Sequence, residues 1–416
     1  MPVYSDNSRK QINSLFIAYY GIEEPLIQSQ GIPYLRELSK YGINFTILSF
    51  QKKIYSKEKE KEIFQKIESQ LKEYGIKWYH LRYHKRPSLI VTPLDILCGF
   101  FYSIYIILKE RIDVLHPRTS VPAIMVFPLA IVFRKKFIFE LRGLLAREYV
   151  DGGRWPKFSL QYLLVNFLEK RISFVADAVV VLTEELKRVI LQEKYALLKK
   201  GTDVTVIPCC VDLKKFEFAH GNGKAVKNPA YIYTGSVGNW YLTEEMIDFF
   251  RVAKSRNSGA SFTILANNDI DYVKTIIKEK GLDISDFTIR SVFHEEIPKY
   301  LAAADVGIIF DKPGFSRKAN SPTKFAEYLA TGIPVIINYG IGDTEEIVAA
   351  NNIGVVVRNF SDKDYAYTID KMRELLSDSQ VHDRCRKVAE EYYSLESGVK
   401  KYSGIYNKLF LKGKAR

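Results

Sequence analysis

Short apolar runs of strand length alternate with amphipathic stretches of helix length along almost the whole chain, and no other feature restricts the fold as much. In the first half the strand-like runs fall at 14–19, 44–49, 76–81, 113–116, 136–141, 178–182 and 204–207. In the second half they fall at 231–234, 261–266, 287–290, 306–310 and 333–338. The segments between them suit helices. Residues 31–41 carry Ile32, Leu35 and Leu38 at helical spacing, 56–74 is highly charged and amphipathic, and 158–176 is long and apolar. Further helices are expected at 243–254, 270–280 and 295–304, with Thr183 capping another that opens on Glu184-Glu185. A strand that returns parallel to its predecessor needs a crossover of about a dozen residues or more, which fits this spacing. The chain is therefore expected to be α/β, with parallel sheets covered by helices on both faces.

The alternation lapses once. Residues 209–228, CCVDLKKFEFAHGNGKAVKN, hold Gly221, Gly223 and several lysines and read as a linker, which places a domain boundary near His220. A chain of 416 residues exceeds what one core usually holds, so the two sets are expected as tandem domains at 1–220 and 221–389. The tail, 362–411, reads as mostly helical, with Tyr392, Tyr393, Tyr402, Tyr406 and Leu409 among its apolar positions.

Formal charge is +13 and the sequence pI about 9.2. Such an excess fits a nucleic-acid binder, contact with an anionic membrane, or an enzyme for phosphorylated substrates. The basic residues are scattered, without zinc-finger or RNP-like spacing, so no nucleic-acid partner is expected. Lys52-Lys53, His84-Lys85-Arg86 and Arg134-Lys135-Lys136 would suit a peripheral contact with anionic lipid, although lysine pairs are common on any basic surface. Four cysteines without CxxC spacing point to a reducing, cytoplasmic compartment, and the polar residues 1–11 do not read as a signal peptide. The most apolar stretch, 94–108, contains Asp95 and is expected as a buried helix rather than a membrane span. His80 and His84 have an i, i+4 spacing but follow a strand with no third ligand in view, so no metal is expected. No GxSxG, P-loop or HExxH occurs.

The stretch 320–335, N-S-P-T-K-F-A-E-Y-L-A-T-G-I-P-V, carries the densest chemistry. Ser321 reads as an N-cap, Pro322 as the first helical residue and Gly332 as the stop before the next strand. A helix N-terminus offers unpaired backbone N–H groups and the positive end of the helix dipole, and Lys324 adds a full charge. Asn320, Ser321, Pro322, Thr323 and Lys324 thus form a candidate phosphate site. Glu327, further along, can accept two hydrogen bonds from a sugar diol. An ordinary capped helix with solvent-facing charges would look the same locally.

In open α/β sheets ligands bind outside the carboxyl ends of the strands, so residues just after strands are the next candidates. These include Gln30 and Gly31 before the first helix, Arg118 after one strand, and Arg142 and Gly143 after another, followed by Glu148. An arginine buried at a strand end needs an anionic partner, which is either substrate or a carboxylate such as Glu140 or Glu148. In the second half they include Gly235, Ser236, Val237, Gly238 and Asn239, then Phe293 and His294, then the loop 311–320. The glycines of 235–238 allow a close backbone approach that presents N–H groups to a phosphate.

The motifs A-D-A-V-V-V-L-T-E-E-L at 176–186, V-I-P-C-C-V-D-L-K-K-F at 206–216, Y-T-G-S-V-G at 233–238, A-A-A-D-V-G-I at 302–308 and S-P-T-K-F-A-E-Y-L-A-T-G-I-P-V-I at 321–336 resemble, in their order and spacing, the retaining GT-B glycosyltransferases of family GT4. The resemblance implies two Rossmann-like domains facing across a cleft, an N-terminal acceptor domain and a C-terminal donor domain, with the helix at 390–416 packing back on the first. It implies transfer of a sugar from a UDP- or GDP-type nucleotide sugar to a hydroxyl of a glycan, lipid-linked or small-molecule acceptor, with retention and without metal or other cofactor. It resembles most a subset acting in bacterial polysaccharide and lipopolysaccharide synthesis. Carried over by position, Glu327 matches the second glutamate of the Glu-x7-Glu motif and binds ribose, while the first falls on Ala319. Ser236 and Tyr241 stand where many members have an Arg and a Lys, and Arg142 stands for the usual histidine. Lys324, Arg118, Arg142 and Glu148 are then the candidate catalytic and acceptor-positioning groups. A GT-B epimerase and a non-catalytic nucleotide-sugar or glycan-binding protein are the alternatives.

Overall fold

Every strand pairing is parallel among the described residues, as connections of helix length require. The computed structural model describes residues 11–52, 56–84, 88–192, 198–219 and 226–411. The chain divides into two units. Unit 1 comprises Met1–Leu182, Leu186–Ile207 and Gly398–Arg416, and unit 2 comprises Thr183–Glu185 and Pro208–Ser397. The linker expected around His220, Gly221 and Gly223 falls outside the described residues.

Unit 1 runs β1 (Ile12–Ala18), α1 (Pro25–Gln30), α2 (Ile32–Ser39), β2 (Ile43–Gln51), α3 (Lys57–Glu73), β3 (Lys77–Arg82), α4 (Ser88–Lys109), β4 (Val114–Arg118), α5 (Ser120–Val132), β5 (Lys136–Leu141), α6 (Leu145–Asp151), α7 (Leu160–Val175), β6 (Ala178–Val181), α8 (Glu184–Ile190, of which Glu184 and Glu185 count with unit 2) and β7 (Asp203–Val206). The sheet order is β3-β2-β1-β4-β5-β6-β7. The chain winds outward from β1 to β3 and returns to β4, so the switch in winding direction lies between β1 and β4. β4 and β5 are almost wholly buried because helices cover both faces.

Unit 2 runs β8 (Ala230–Thr234), α9 (Thr243–Arg256), β9 (Ser261–Leu265), α10 (Ile270–Glu279), β10 (Phe287–Arg290), α11 (Ile297–Leu301), β11 (Val306–Ile309), α12 (Thr323–Thr331), β12 (Val335–Asn338), α13 (Thr344–Asn351), β13 (Gly354–Val357), α14 (Asp362–Leu376), α15 (Val381–Tyr392) and α16 (Leu395–Leu411), the last continuing into unit 1 from Gly398. The order β10-β9-β8-β11-β12-β13 puts the switch between β8 and β11. The unit thus has a sixth strand, β13, beyond the five expected; its Gly-Val-Val-Val run is too short to stand out by periodicity. The expected helix at 295–304 is also shorter, a 3-10 turn at His294–Glu296 leading into α11.

The tail from Gly398 completes the core of unit 1. The Tyr406 hydroxyl lies 2.8 Å from Ser14 Oγ and 2.9 Å from His116 Nδ1, joining β1, β4 and α16. Tyr402 packs edge-on to Tyr34. Burial raises the pKa of both tyrosines well above the usual range, so both stay neutral.

One expectation is overturned in unit 1. The apolar stretch 94–108 forms α4 as expected, but it is not buried: Leu94, Leu97, Phe101, Tyr105 and Leu108 are exposed. Only Asp95, Gly99, Ser103, Ile106 and Ile107 reach the interior, because a helix laid on a sheet covers one stripe of itself.

Candidate functional site

The site of unit 2 is built on α12, whose residues Lys324 to Thr331 are all buried. Tyr328 fixes this helix against the two strands at the switch. Its ring occupies the space a Cβ at Gly307 on β11 would need, at 2.2 Å, and its hydroxyl accepts a hydrogen bond from the Thr234 N–H at the end of β8, 2.8 Å away. Only glycine fits at 307. Lys324 precedes Tyr328 by four residues and so shares its face of the helix, which aims it under the turn that follows β8.

There the Lys324 ammonium sits between two aromatic rings. Its Nζ is 4.3 Å from the centroids of both Tyr233 and Tyr241, and it donates to the Tyr233 hydroxyl at 3.2 Å. The Tyr233 hydroxyl donates in turn to the Ser236 carbonyl. Gly235, with φ of +130°, passes directly over the ammonium; a Cβ there would lie 3.0 Å from Nζ. The two donor candidates, turn and lysine, are thus in contact. Among the described residues no carboxylate approaches Nζ within ion-pair distance. Burial pulls the Lys324 pKa down to about 8, against the more distant pull of Asp311 and Glu327. A buried cation without a paired anion is costly, and an incoming anion would remove that cost.

Beside it, Asp311 follows β11 and is held by Asn338, whose side chain accepts from the Asp311 N–H and donates to its carbonyl. Asp311 Oδ2 accepts from Asn320 at 2.9 Å, whereas Oδ1 is buried with no hydrogen-bond partner among the described residues. Burial raises its pKa despite Lys324 and Arg317. The Arg317 guanidinium lies 4.2 Å from the Trp240 ring centroid, and its Nε is likewise buried and unbonded. Glu327, one turn beyond Lys324, receives His294 Nε2 at 2.9 Å, and this bond raises the His294 pKa in spite of partial burial. Tyr233, Trp240 and Arg317 were not singled out for these contacts by sequence. The Tyr-Thr-Gly order at 233–235 was the available signal, but an inward tyrosine on a strand reads as core.

Several local expectations are corrected. The helix begins at Thr323, and Ser321 does not cap it: Ser321 Oγ accepts instead from the Cys209 N–H at 3.1 Å. The turn after β8 does not present all its amides. Gly235 donates to the Leu265 carbonyl, Val237 to Asn268 Oδ1 and Gly238 to Thr243 Oγ1, leaving the Ser236 and Asn239 amides of this turn with no partner among the described residues. Asn239 takes a left-handed conformation, φ +53°, to close the turn. Phe293 is 79% exposed and does not join the ring of groups around Lys324. Gly332 does end α12, at φ +87°.

In unit 1 the candidate arginines converge on one carboxylate. Arg118 and Arg142 donate to the same oxygen, Oε1 of Glu140, at 2.7 and 2.8 Å, and His116 Nε2 is 3.6 Å from Oε2. Burial alone would raise the Glu140 pKa, but Arg118, His116 and Arg142 outweigh it and hold it well below the usual carboxylate range. Of the two anionic partners the sequence left open, a structural carboxylate is therefore present for both arginines. Arg118 also donates to the Gln30 carbonyl at 2.7 Å, tying α1 to β4, and the Gly31 N–H closes α1 on the Ile27 carbonyl. Glu148, on α6, lays its carboxylate against Gly143. Glu169 on α7 accepts from Ser120 Oγ at 2.7 Å and from the Leu145 N–H at 2.9 Å; burial lifts its pKa to about 7. The two histidines at 80 and 84 do separate things: His80 packs on Phe64 and Trp78, and His84 Nδ1 meets Asp95 at 2.6 Å.

Residues 285–399 match the family model described as glucosyltransferase 3-like, C-terminal domain, a span that holds His294, Asp311, Lys324 and Glu327. No curated protein matches. Among solved structures, a glycosyltransferase from Rickettsia africae is 15% identical over 97% of this chain and 99% of its own, with a TM-score of 0.71. A sucrose-phosphate synthase from Thermosynechococcus elongatus is 15% identical over 96% of this chain and 100% of its own, with a TM-score of 0.69. Anabaena Alr3699/HepE, solved in complex with UDP-glucose, is 13% identical over 95% of this chain and 100% of its own, with a TM-score of 0.65. The chain thus has the α/β fold of GT-B glycosyltransferases, with a glucosyltransferase-like C-terminal domain.

Proposed function

We propose that this protein is a glycosyltransferase that moves a sugar from a UDP- or GDP-type nucleotide sugar to a hydroxyl of a glycan or lipid-linked acceptor, with retention at the anomeric carbon. The observation that carries the reading is the Lys324 ammonium, buried between Tyr233 and Tyr241 under Gly235 without a paired carboxylate among the described residues. It is a cation prepared for an anion that arrives with the substrate. The match of 285–399 to a glucosyltransferase-like domain supports the same choice.

In this reading the diphosphate lies against Lys324, the first amides of α12 and the Ser236 amide. Glu327 accepts the ribose diol, as His294 orients it. Asp311 Oδ1 and Arg317 Nε, buried and unbonded, bind the transferred sugar and take over from the glutamate missing at Ala319. As the bond from the anomeric carbon to the diphosphate oxygen breaks, its electron pair leaves on the diphosphate, where Lys324 and the helix terminus stabilise the growing charge. The acceptor oxygen bonds to the same face of the carbon, and its proton passes to the departing diphosphate. On unit 1, Arg142 and Glu148 position the acceptor, and Arg118 steadies Arg142 through the shared Glu140. We place the reaction in the cytoplasm, in synthesis of cell-surface polysaccharide.

A thermal-shift screen against UDP-, GDP-, ADP- and CMP-sugars tests the donor, because binding to the folded state raises its melting temperature. Stabilisation by a nucleoside-diphosphate sugar is expected, reduced at least tenfold in affinity in Lys324→Ala and Glu327→Ala. Unchanged donor affinity and turnover in Lys324→Ala would refute the phosphate role. Product analysis with and without acceptor separates transfer from epimerisation and from binding alone.

A further inference from the structure

Helices α4, α5 and α7 pack side by side on one face of the unit 1 sheet, and the outer stripes of the two flanking helices are apolar. On α4 the outward residues are Leu94, Leu97, Phe101, Tyr105 and Leu108, spaced three or four apart, with Leu97 52%, Phe101 61% and Leu108 63% exposed. On α7 they are Leu160, Leu163, Leu164, Phe167 and Phe174, with Leu160 78% exposed, and Ile131 and Val132 extend the strip at the end of α5. A water-facing helix normally shows its polar side, and contiguous exposure on this scale marks an interaction surface.

The charge pattern says what covers it. Segments 91–111, 120–136 and 157–175 contain Lys109, Arg111, Arg134, Lys135, Lys136, Lys157, Lys170 and Arg171. Their carboxylates are Asp95 and Glu169, both buried, and Glu110, which is paired with Lys77 and bonded to Tyr79. So the face shows cations and apolar groups with no open anion among its described residues. The cations also fold over exposed rings: Lys109 lies 5.1 Å from the Tyr105 centroid, Lys157 5.4 Å from Phe158, Arg171 5.2 Å from Phe167, and Lys199 5.8 Å from Phe174. Rings that insert at headgroup depth beneath cations that stay at phosphate level are what an interfacial contact requires.

We propose that the α4–α5–α7 face of unit 1 docks on an anionic lipid bilayer, lying in the headgroup plane without crossing it. The length and hydropathy of Val91–Lys109 would allow a membrane span, but Asp95, Ser103, Ile106 and Ile107 of this helix are buried inside the folded unit, which a span would expose. Of the basic residues noted in the sequence, Arg134 and Lys135 follow the end of α5 directly, next to the exposed Ile131 and Val132. The proposal stands on the surface alone and does not depend on the sugar-transfer reading.

The test is co-sedimentation of the full chain with vesicles of phosphatidylcholine, with and without phosphatidylglycerol. Binding is expected only with the anionic lipid and is weakened by salt. Phe101→Glu with Leu164→Glu is expected to lower the apparent partition more than tenfold, and Arg134→Glu or Arg171→Glu roughly fivefold each, with unchanged thermal unfolding. If the glutamate pair fails to fold, Phe101→Ser with Leu164→Ser and the salt series on the unaltered chain give the same reading. No sedimentation with vesicles, equal binding to neutral and anionic vesicles, or a concentration-dependent dimer abolished by Phe101→Glu in a chain that ignores vesicles would each overturn it.

Discussion

Lys324 links donor binding to pH, and the size of the effect follows from its burial. With a pKa of about 8, against an ordinary 10.5, its side chain is about nine-tenths charged at pH 7 and about one-tenth charged at pH 9. A diphosphate beside it favours the charged form and restores a high pKa, so binding takes up a proton, about half a proton per site at pH 8. UDP affinity should then fall about tenfold between pH 7 and pH 9, equivalent to roughly 1.4 kcal/mol. The phosphate itself titrates near about pH 6 and does not confuse this window. Stability moves the other way. A lysine whose folded pKa is depressed binds fewer protons in the folded than in the unfolded state, so the ligand-free protein gains stability as pH rises from about 8 toward 10.5. Lys324→Met removes that penalty, about 3 kcal/mol at neutral pH as an upper figure, and should raise the melting temperature of the ligand-free protein while abolishing the pH dependence of UDP binding. Calorimetric titration with UDP at about pH 7, 8 and 9, in buffers of different ionisation enthalpy, measures both affinity and proton uptake. A flat affinity across this range, no uptake at pH 8, or the same slope in Lys324→Met would refute the assignment.

Three further outcomes follow from buried groups. Glu140→Gln leaves Arg118 and Arg142 without their shared carboxylate and should cost about 3–5 kcal/mol in urea denaturation; a loss below about 1 kcal/mol would deny its structural role. Because the folded pKa of Glu140 is depressed, the stability it lends is complete above its unfolded value near 4.5 and is lost as pH falls through the folded one. Glu169, raised to about 7, behaves oppositely: its contribution is complete below about 4.5 and is lost as pH rises through 7. Glu169→Gln should therefore match the parent near about pH 5 and exceed it in melting temperature at about pH 8, and a pH-independent difference would contradict this. Gly307→Ala forces a methyl group into the Tyr328 ring and should cost about 1–3 kcal/mol, with weaker UDP binding because Tyr328 sets the position of Lys324; normal stability and affinity together would show that α12 is not fixed this way.

The sequence alone determined the strand and helix alternation, the parallel sense of the sheets and the stop at Gly332, and it marked Lys324 and Glu327 as candidates. These are local properties: apolar periodicity, crossover length and residue chemistry are written within a few residues of where they act. The rest required contacts between distant residues. Ser321 has the chemistry of a cap, yet its hydroxyl serves the Cys209 amide 112 residues away. The glycine turn after β8 looked like an amide nest, but Leu265, Asn268 and Thr243 take three of its N–H groups, and its glycine is needed because Lys324 lies beneath it. The lysine's unusual state comes from Tyr233 and Tyr241, 91 and 83 residues upstream, which exclude water from it. In α4 apolarity by itself was misleading, since a hydrophobic run reports a need for cover and not what provides it. Only packing decides which stripe meets the sheet and which is left facing outward, because burial depends on where other elements stand and not on the residues of the helix itself.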